Sequence, residues 1–443
     1  MALRPASFAL VLLAACSGDP PTSSPSTASA ASTVTSAVEP PTPVSASSAA
    51  AASASADAVS GASPVASADA GATVPNDART VDGAALRKKN VARLREDKSP
   101  VSVIAGDDPR VLGASICEAV VPKRPAATPV LIKPNLCGFD AMKRGDPDNG
   151  VTGRTTHPEF VRGIIQCLKA RGHTKITVAE GCSLPHKQFL ALADLSGYAA
   201  MVREEGVPLV ALDDDGVFDV EGDQPGKPLA VSGMEKSHVP TLLLPKGIAD
   251  HLESGMWISA PKIKTHRFSV TSVGIKGMQG IVMRSDGKPA HTQKWRMHAE
   301  LLDYLKTKKT GEDRAAFVKS LELFSDRMAD VLEIAAPDAV LAEGAPAMGG
   351  DGFQVLTPMP KKLAIGGTHP LAVDKVAAEY LGLWDSEKLA NGLRGYKTSP
   401  LVARAAERLG LDLGKWPVTG DGAALLSEKR PVHFVSMAPF VVR

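Results

Sequence analysis

Short runs of consecutive apolar residues alternate with longer segments of helical periodicity through most of the chain. Seven apolar runs predict strands, at 101–106, 129–134, 175–181, 208–214, 256–261, 339–344 and 362–367. Apolar residues recur with helical spacing in 108–120, 158–171, 187–204, 298–309, 314–336, 370–382 and 399–409. Buried strands separated by helices of this length are typical of a mostly parallel sheet that is flanked by helices on both faces. The pattern therefore predicts an α/β fold.

One segment departs from this alternation. Between Val217 and Leu244 the short stretches FDVEG, LAVSG and TLLLP are separated by turn-forming residues rather than by helical patterns. Such closely spaced short strands are joined most simply as antiparallel neighbours. We therefore expect a small antiparallel β insertion in the α/β core.

The N-terminus has the pattern of an export signal. Residues 1–15 contain one arginine and a short apolar run, and they end in Leu13-Ala14-Ala15 before Cys16. The run is too short for a membrane-spanning helix, but it suits a secretory signal peptide. The four residues that end in Cys16 resemble the bacterial lipobox, in which the cysteine is lipidated. The sequence thus predicts an exported envelope protein, anchored by lipid to the periplasmic side or outer surface of a bacterial membrane.

The segment 16–79 is dominated by Ala, Ser, Thr and Pro and has few large apolar residues. Because such a composition buries too little apolar surface to offset the entropy of ordering, we expect a disordered tether. Residues 80–443 are then the folded α/β core. The chain has 50 Lys plus Arg against 48 Asp plus Glu, and only 4% of its residues are aromatic. This balance gives no drive toward nucleic acid.

The stretch 256–280, MWISAPKIKTHRFSVTSVGIKGMQG, predicts a strand, a basic loop and a helix. In extended chain Lys262, Lys264 and His266 project to one side. Beyond them, Lys276 lies among glycines that include Gly277 and Gly280, and these leave backbone N–H groups approachable for an anion. The structural alternatives are a solvated Lys-x-Lys surface and a close helix–sheet contact. The glycine spacing matches no nucleotide-binding motif.

These residues resemble the domain of unknown function 362 family. The resemblance rests on LIKPNLCG at 131–138, THPEF at 156–160, APKIKTHRFSVTSVGIKGMQG at 260–280, and DAVLAEGAPAMGGDG at 338–352 with HPLAVDKVAAEYLG behind it. It implies that Asp374 matches an acidic position of the closing motif. Some relatives carry ferredoxin-like iron–sulfur segments, whereas this chain has no Cys-x-x-Cys-x-x-Cys run.

The carboxyl ends of parallel strands form the ligand crevice in open α/β sheets, which groups residues that are distant in sequence. The group comprises Lys133, Asn135, Glu180, Cys182, Lys262, Lys264, His266 and Glu343. A charge at the end of an apolar strand is costly unless it is paired or turned toward a ligand. Lys133 therefore either contacts a ligand, reaches solvent or pairs with Glu180.

The tripeptide Thr-His-Pro occurs twice, at 156–158 and 368–370. Thr156 and Glu159 have the spacing of a capping box, and proline is tolerated in the first helical turn. Capping does not require histidine, so His157 and His369 are candidates for ligand contact or proton transfer.

Four cysteines follow Cys16. Cys117 and Cys167 lie in helical patterns and fit as small buried residues, whereas Cys137 and Cys182 follow strands. The sequence allows three states for Cys137 and Cys182: a disulfide between them, two inert thiols, or ligation of a metal. His291, Lys294 and His298 share one side of a helical pattern, which leaves a zinc or other divalent metal site as an alternative. The cofactor is unknown.

We expect the core to bind a small anionic ligand. Lys262, Lys264 and Lys276 are predicted to hold its oxygens, with His266 as general acid or base. Lys264 and Lys276 are also assigned to the catalytic set. Glu180, Glu343 and Asp374 are predicted to orient the lysines or to hold a metal. The alternatives are a non-catalytic solute-binding lipoprotein, which has little need for His266, and a redox or metal-binding protein.

Overall fold

The structure is a computed structural model. It describes residues 79–137, 153–182, 184–214, 216–218, 228–283, 297–301, 314–352, 355–428, 433–435 and 441–442. Residues 1–15 and all but the last residue of the expected tether 16–79 lie outside these ranges, so the signal peptide, lipidated Cys16 and tether stay predictions. No helix within the described ranges is both long enough and apolar enough to cross a membrane.

The described helices and strands occur in the alternation that the sequence predicts. The strands are β1 (Val101–Ala105), β2 (Val130–Pro134), β3 (Ile176–Glu180), β4 (Leu209–Ala211), β5 (Gly216–Val217), β6 (Pro228–Ala230), β7 (Leu243–Pro245), β8 (Met256–Ala260), β9 (Lys262–His266), β10 (Val270–Ser272), β11 (Ala339–Gly350), β12 (Leu356–Pro358), β13 (Leu363–Gly367), β14 (Val418–Thr419), β15 (Phe434–Val435) and β16 (Val441–Val442). The α-helices are α1 (Gly83–Glu96), α2 (Pro109–Val120), α3 (Pro158–Ala170), α4 (His186–Leu195), α5 (Tyr198–Glu205), α6 (Lys246–Ser254), α7 (Gly274–Gly277), α8 (Arg314–Ala335), α9 (Pro370–Tyr380), α10 (Glu387–Gly392) and α11 (Pro400–Leu409). Two 3-10 helices span Met278–Ile281 and Asp421–Leu426.

The main sheet is mixed and mostly parallel, as expected. Its strand order is β14-β1-β13-β11-β8-β2-β3-β4-β5. The central strands β11, β8, β2, β3 and β4 pair in parallel, whereas β13 and β5 run antiparallel to their neighbours. The carboxyl ends of the parallel strands therefore meet along one edge, where the candidate residues were placed.

Alternate strand residues pack on opposite faces of the sheet. Val130 and Ile132 of β2 enter the apolar core that contains α2 and α3, whereas Leu131 enters the core that contains α8 and α9. Trp257 of β8 lies in the second core, and its neighbours Met256 and Ile258 lie in the first. Because side chains alternate along a strand, these uninterrupted apolar runs bury both faces of the sheet.

The expected antiparallel insertion is confirmed. β6 and β7 form a separate two-stranded antiparallel sheet. The sequence pattern did not predict α6, which directly follows β7, and it missed α1 as well. α1 has the sequence GAALRKKNVARLRE and buries only Gly83, Asn90 and Leu94, so its apolar periodicity is weak.

Two other predictions need correction. The helix expected at 187–204 is divided into α4 and α5 at Gly197, whose φ of 78° lies in the left-handed region that favours glycine. The basic loop expected after Pro261 is a buried strand, β9, and β10 precedes the short helix α7. The helix expected at 298–309 lies mostly outside the described residues.

Candidate functional site

Strand β9 carries the basic residues at the carboxyl edge of the sheet. It pairs in parallel with β11, where Lys262 is opposite Glu343, and it pairs antiparallel with β10, where Lys264 is opposite Ser272. Both lysine side chains are buried, with exposed fractions of 2% and 1%. An ammonium group is removed from water at this depth only when other groups compensate its charge or bond to it.

Two of the candidate lysines form buried ion pairs with candidate glutamates. Lys133 Nζ lies 2.7 Å from Glu180 Oε1, and Lys262 Nζ lies 2.8 Å from both carboxylate oxygens of Glu343. The sequence left open whether Lys133 pairs with Glu180, and the structure shows that it does. In both pairs a glutamate orients a lysine.

Backbone groups complete the hydrogen bonding of the two carboxylates. The Leu136 N–H donates to Glu180 Oε2 at 3.0 Å. The His157 N–H donates to Glu343 Oε2 at 3.2 Å, and the Ala345 N–H donates to Oε1 at 2.5 Å. These bonds tie the ends of β2 and β3, the middle of β11 and the start of α3 to one polar cluster.

Gly280 packs directly on the first ion pair. A Cβ atom at this position would lie 2.4 Å from Glu180 Oε1 and 2.7 Å from Lys133 Nζ, which no real Cβ tolerates. At Gly277 the nearest atom to an added Cβ is 3.6 Å away, an ordinary van der Waals distance. Gly280 is therefore required for close packing, whereas a Cβ at Gly277 would make only ordinary contacts with Pro261 and Ser259.

Lys264 and Asn135 hold the backbone before α3. The Lys264 Nζ and the Asn135 Nδ2 donate to the Arg154 carbonyl at 2.8 and 2.7 Å. Both groups also lie 3.3 Å from the Cys137 Sγ. Cys137 was predicted to follow a strand, as a disulfide partner, an inert thiol or a metal ligand, and not as a neighbour of the lysines. Its position two residues beyond Asn135, at the same strand end, was the available signal for that contact.

Lys276 differs from the three buried lysines because its side chain is half-buried. Its Nζ donates to the Gln279 Oε1 at 2.5 Å and lies 5.8 Å from the centre of the Phe324 ring. Burial, followed by the nearby positive charge of Lys264, lowers the pKa of Lys276 to about 7. The i, i+3 spacing of Lys276 and Gln279 was a signal that the sequence analysis did not use.

His266 is buried, and its ring accepts a hydrogen bond at Nδ1 from the Phe268 N–H at 3.0 Å. Burial, together with the positive charges of Lys276 and Lys264, holds its pKa well below the ordinary value. The imidazole is therefore neutral near pH 7. A neutral imidazole can accept a proton as a base but cannot act as the acid, and the predicted role of His266 as general acid or base stays a prediction.

Asp374 binds the start of α7. Its Oδ1 accepts from the Gly274 N–H at 2.7 Å, and its Oδ2 accepts from the Ile275 N–H at 3.2 Å. An anion at this helix start was expected, and the chain's own carboxylate lies there. Burial raises the pKa of Asp374 to about 7, although both backbone donors favour its charged form.

The histidines of both Thr-His-Pro sequences cap helices. His157 Nδ1 accepts from the Glu159 N–H at 3.2 Å, and His369 Nδ1 accepts from the Ala372 N–H at 3.3 Å. The expectation that Thr156 caps α3 was wrong, because its hydroxyl donates to the Ala260 carbonyl instead. Capping thus accounts for both histidines.

The two histidines lie at different ends of the sheet. His157 borders the cluster through its N–H bond to Glu343. His369 follows β13, which runs antiparallel to β11 and pairs Gly367 with Val340 near the start of that strand. Its Nε2 bonds to the Leu94 carbonyl at 2.9 Å, and its ring packs on Trp416. His369 is therefore not brought to the cluster.

The four cysteines within the described residues divide into a disulfide pair and two thiols. Cys117 of α2 is bonded to Cys167 of α3, so these two are more than small buried residues. Cys137 and Cys182 are not disulfide-bonded, and both are half-buried at the carboxyl edge. The Cys182 Sγ lies 3.1 Å from the Leu136 carbonyl.

Within the ranges that the structure describes, no three His, Cys, Asp or Glu side chains lie together in a way that could hold a metal ion. The metal alternative therefore has no ligand set there. His291 and Lys294 lie outside those ranges. His298 lies inside them and packs between the rings of Phe268 and Phe324.

The fold and the cluster together define an α/β protein with lysines gathered at the carboxyl edge of its parallel strands. The family model described as Domain of unknown function (DUF362) matches residues 130–379, more than half of the chain. The protein belongs to this family. No curated protein and no solved structure matches the chain.

Proposed function

We propose that the core binds a small anionic ligand at the carboxyl edge of β2, β3 and β9 and acts on it through proton transfer at Lys276. The observation that carries this proposal is the half-buried Lys276 side chain, whose ammonium is hydrogen-bonded to a neutral amide oxygen among other lysines. By contrast, Lys133 and Lys262 are bonded to carboxylates. An arriving anion would supply Lys276 with an opposite charge.

The chemistry follows from the pKa of Lys276. A group that exchanges protons efficiently has a pKa near the working pH, and Lys276 meets this condition at about 7. We therefore assign to Lys276 the acid–base role that the sequence analysis gave to His266. The two ion pairs and Asp374 position the backbone around it.

A second candidate is non-catalytic solute binding, and one observation favours it. His266 separates the two functions, because a binding protein has little need for it. His266 is buried and neutral and accepts a backbone hydrogen bond. A binding protein that uses Lys276 only as a cation fits the same geometry.

We further propose that the protein is exported and anchored through Cys16. The disulfide between Cys117 and Cys167 supports export, since such bonds persist in oxidising compartments. The anchor itself rests on the sequence of residues 13–16.

The test of anion binding is thermal unfolding of the full-length protein with added phosphate, sulfate or acetate. A ligand at 100 times its dissociation constant stabilises the folded state by about 2.7 kcal/mol. We expect stabilisation of the parent and its loss in Lys276→Met. Lys246→Met is the control, because Lys246 is an exposed lysine that pairs with Asp250 on α6. Equal responses in both variants would exclude Lys276 as the anion-binding group.

A further inference from the structure

A groove lies between α8 and the segment that joins α10 to α11. Its volume is about 520 Å³, within the range of about 300–1,000 Å³ that is typical of small-molecule sites. It is lined from α8 by Ala315, Ala316, Lys319 and Glu322, and from the other side by Arg394 and Tyr396. Lys319 and Arg394 are exposed, so a ligand can reach them from solvent. None of these residues belongs to the lysine cluster at the carboxyl edge.

The sequence of α8 leaves room for the groove on one side of the helix. Ala315, Lys319 and Glu322 are spaced by four and three residues, so they share one face. Ala315 and its neighbour Ala316 have no side-chain atoms beyond Cβ, which leaves space over the first turn. Lys319 and Glu322 then border this space with a cation and a carboxylate.

Hydrogen bonds join the two walls of the groove. The Tyr396 hydroxyl donates to the Glu322 Oε1 at 2.7 Å, and the Arg314 Nη1 donates to the Asn391 carbonyl at 3.4 Å. The second carboxylate oxygen of Glu322, Oε2, makes no hydrogen bond within the described ranges, so it can accept one from a ligand. Because the walls are already joined, a ligand need not order them when it binds.

Arg394 has a backbone conformation that glycine usually adopts. It lies two residues beyond the end of α10, and its φ is 53°. The next residue, Gly395, closes the helix end by donating its N–H to the Ala390 carbonyl at 2.9 Å. Glycine is the usual residue at such a left-handed position, because a side chain is disfavoured there. Residues in disfavoured conformations cluster at ligand sites, and here the strained residue carries one of the two cations of the groove.

The two cations lack the carboxylate partners that a neighbouring cation has. Within the described residues neither Lys319 nor Arg394 forms an ion pair. Arg404 of α11, by contrast, lies 2.7 Å from the carboxylate of Asp326 on α8. Two unpaired cations and one carboxylate with an available oxygen are complementary to a small molecule that carries both a carboxylate and an ammonium group.

We propose that this groove binds a small aliphatic amino acid as its zwitterion. Arg394 and Lys319 bind the ligand carboxylate, since a guanidinium group can donate two parallel hydrogen bonds to a carboxylate. The Glu322 Oε2 accepts a hydrogen bond from the ligand ammonium. The aliphatic side chain packs on the methyl groups of Ala315 and Ala316.

Calorimetric titration of the full-length protein with L-leucine tests this inference. Two analogues of leucine separate its charged groups, because isocaproate lacks the ammonium and isoamylamine lacks the carboxylate. We expect each analogue to bind at least about tenfold more weakly than L-leucine, because each loses a hydrogen bond between charged groups. Equal binding of L-leucine and isocaproate would show an anion site instead and overturn the proposed ligand class. A parent protein that binds no L-leucine would refute the site.

Substitutions test the role of each charged group. Arg394→Asn removes the guanidinium but keeps a residue that tolerates the left-handed conformation, so it should weaken L-leucine binding at least about tenfold without lowering the unfolding midpoint. Glu322→Gln keeps an acceptor for the Tyr396 hydroxyl and should abolish the preference for L-leucine over isocaproate.

Two control variants complete the experiment. Lys246→Met removes an exposed lysine of α6 outside the groove, and it should bind L-leucine like the parent. Equal binding by Arg394→Asn and Lys246→Met would refute the inference. Lys276→Met should also bind L-leucine like the parent, so the groove and the proposed anion site are tested separately.

Discussion

Replacement of Lys262 by methionine tests whether the buried ion pairs hold the site together. Methionine has a similar length but no charge, so the carboxylate of Glu343 would remain fully buried without its cation. Its two backbone donors, the N–H groups of Ala345 and His157, do not neutralise the charge. Removal of one member of a buried pair typically costs about 3 to 5 kcal/mol of unfolding free energy. We expect a loss in this range.

The partner substitution completes a double-mutant cycle. Glu343→Gln keeps an oxygen acceptor for the backbone donors but leaves the Lys262 ammonium without its counter-charge. In the double variant Lys262→Met/Glu343→Gln no charge is left uncompensated in the pair, so its loss should be smaller than the sum of the single losses. A coupling of about 0.5 to 3 kcal/mol is expected for residues in direct contact.

Urea unfolding of the parent, the two single variants and the double variant measures this coupling. Lys246→Met is the control for loss of a lysine, because its exposed pair with Asp250 is worth about 1 kcal/mol or less. If Lys262→Met costs no more than this control and the cycle shows no coupling, the pair does not stabilise the fold.

Three further predictions concern packing, pH and export. Gly280→Ala should cost about 1 to 3 kcal/mol in urea unfolding because its Cβ would strike Glu180, whereas Gly277→Ala should be nearly neutral, and equal costs would contradict this packing. The folded-state pKa of Asp374 is raised to about 7, so stability should fall as pH rises from about 4 to about 7, and Asp374→Asn should flatten that decline in unfolding midpoints. Cys16→Ala should release the protein from the membrane fraction, and retention of the variant there would refute the lipid anchor.

Apolar patterning was sufficient to predict most of the sheet, because its strands are buried on both faces and contain continuous apolar runs. Val130–Pro134 and Met256–Ala260 were predicted to within one residue at each end. The rule that ligands bind at the carboxyl ends of parallel strands then placed Lys133 close to Glu180, and the structure joins them in an ion pair. Local pattern and fold topology agree here, and for this reason the inference succeeded.

The bonding partner of each lysine could not be predicted from the sequence. Lys262 and Lys276 lie in one basic stretch, but tertiary pairing with β11 provides Lys262 with Glu343, whereas Lys276 is bonded to the neutral Gln279. The sequence predicted that Lys262 holds the oxygens of an anionic ligand. In the structure its ammonium is already bonded to the buried carboxylate of Glu343.

Helix capping by histidine was also missed. Thr156 has the spacing of a capping box, but its hydroxyl bonds to β8, and the ring of His157 occupies the cap. Histidine is not among the residues preferred at this position, so the pattern pointed to threonine. His369 likewise caps its helix, by accepting from the Ala372 N–H, although a threonine precedes it.

The most direct test of the central claim is proton uptake on anion binding. Sulfate does not change its own protonation near neutral pH, so calorimetric titration at pH 8 in two buffers of different ionisation enthalpy reports the protons that the protein takes up. An anion beside Lys276 favours the ammonium and raises its pKa from about 7. We predict net proton uptake by the parent and none by Lys276→Met. Sulfate binding with no proton uptake, or with the same uptake in both proteins, would contradict the assignment of Lys276.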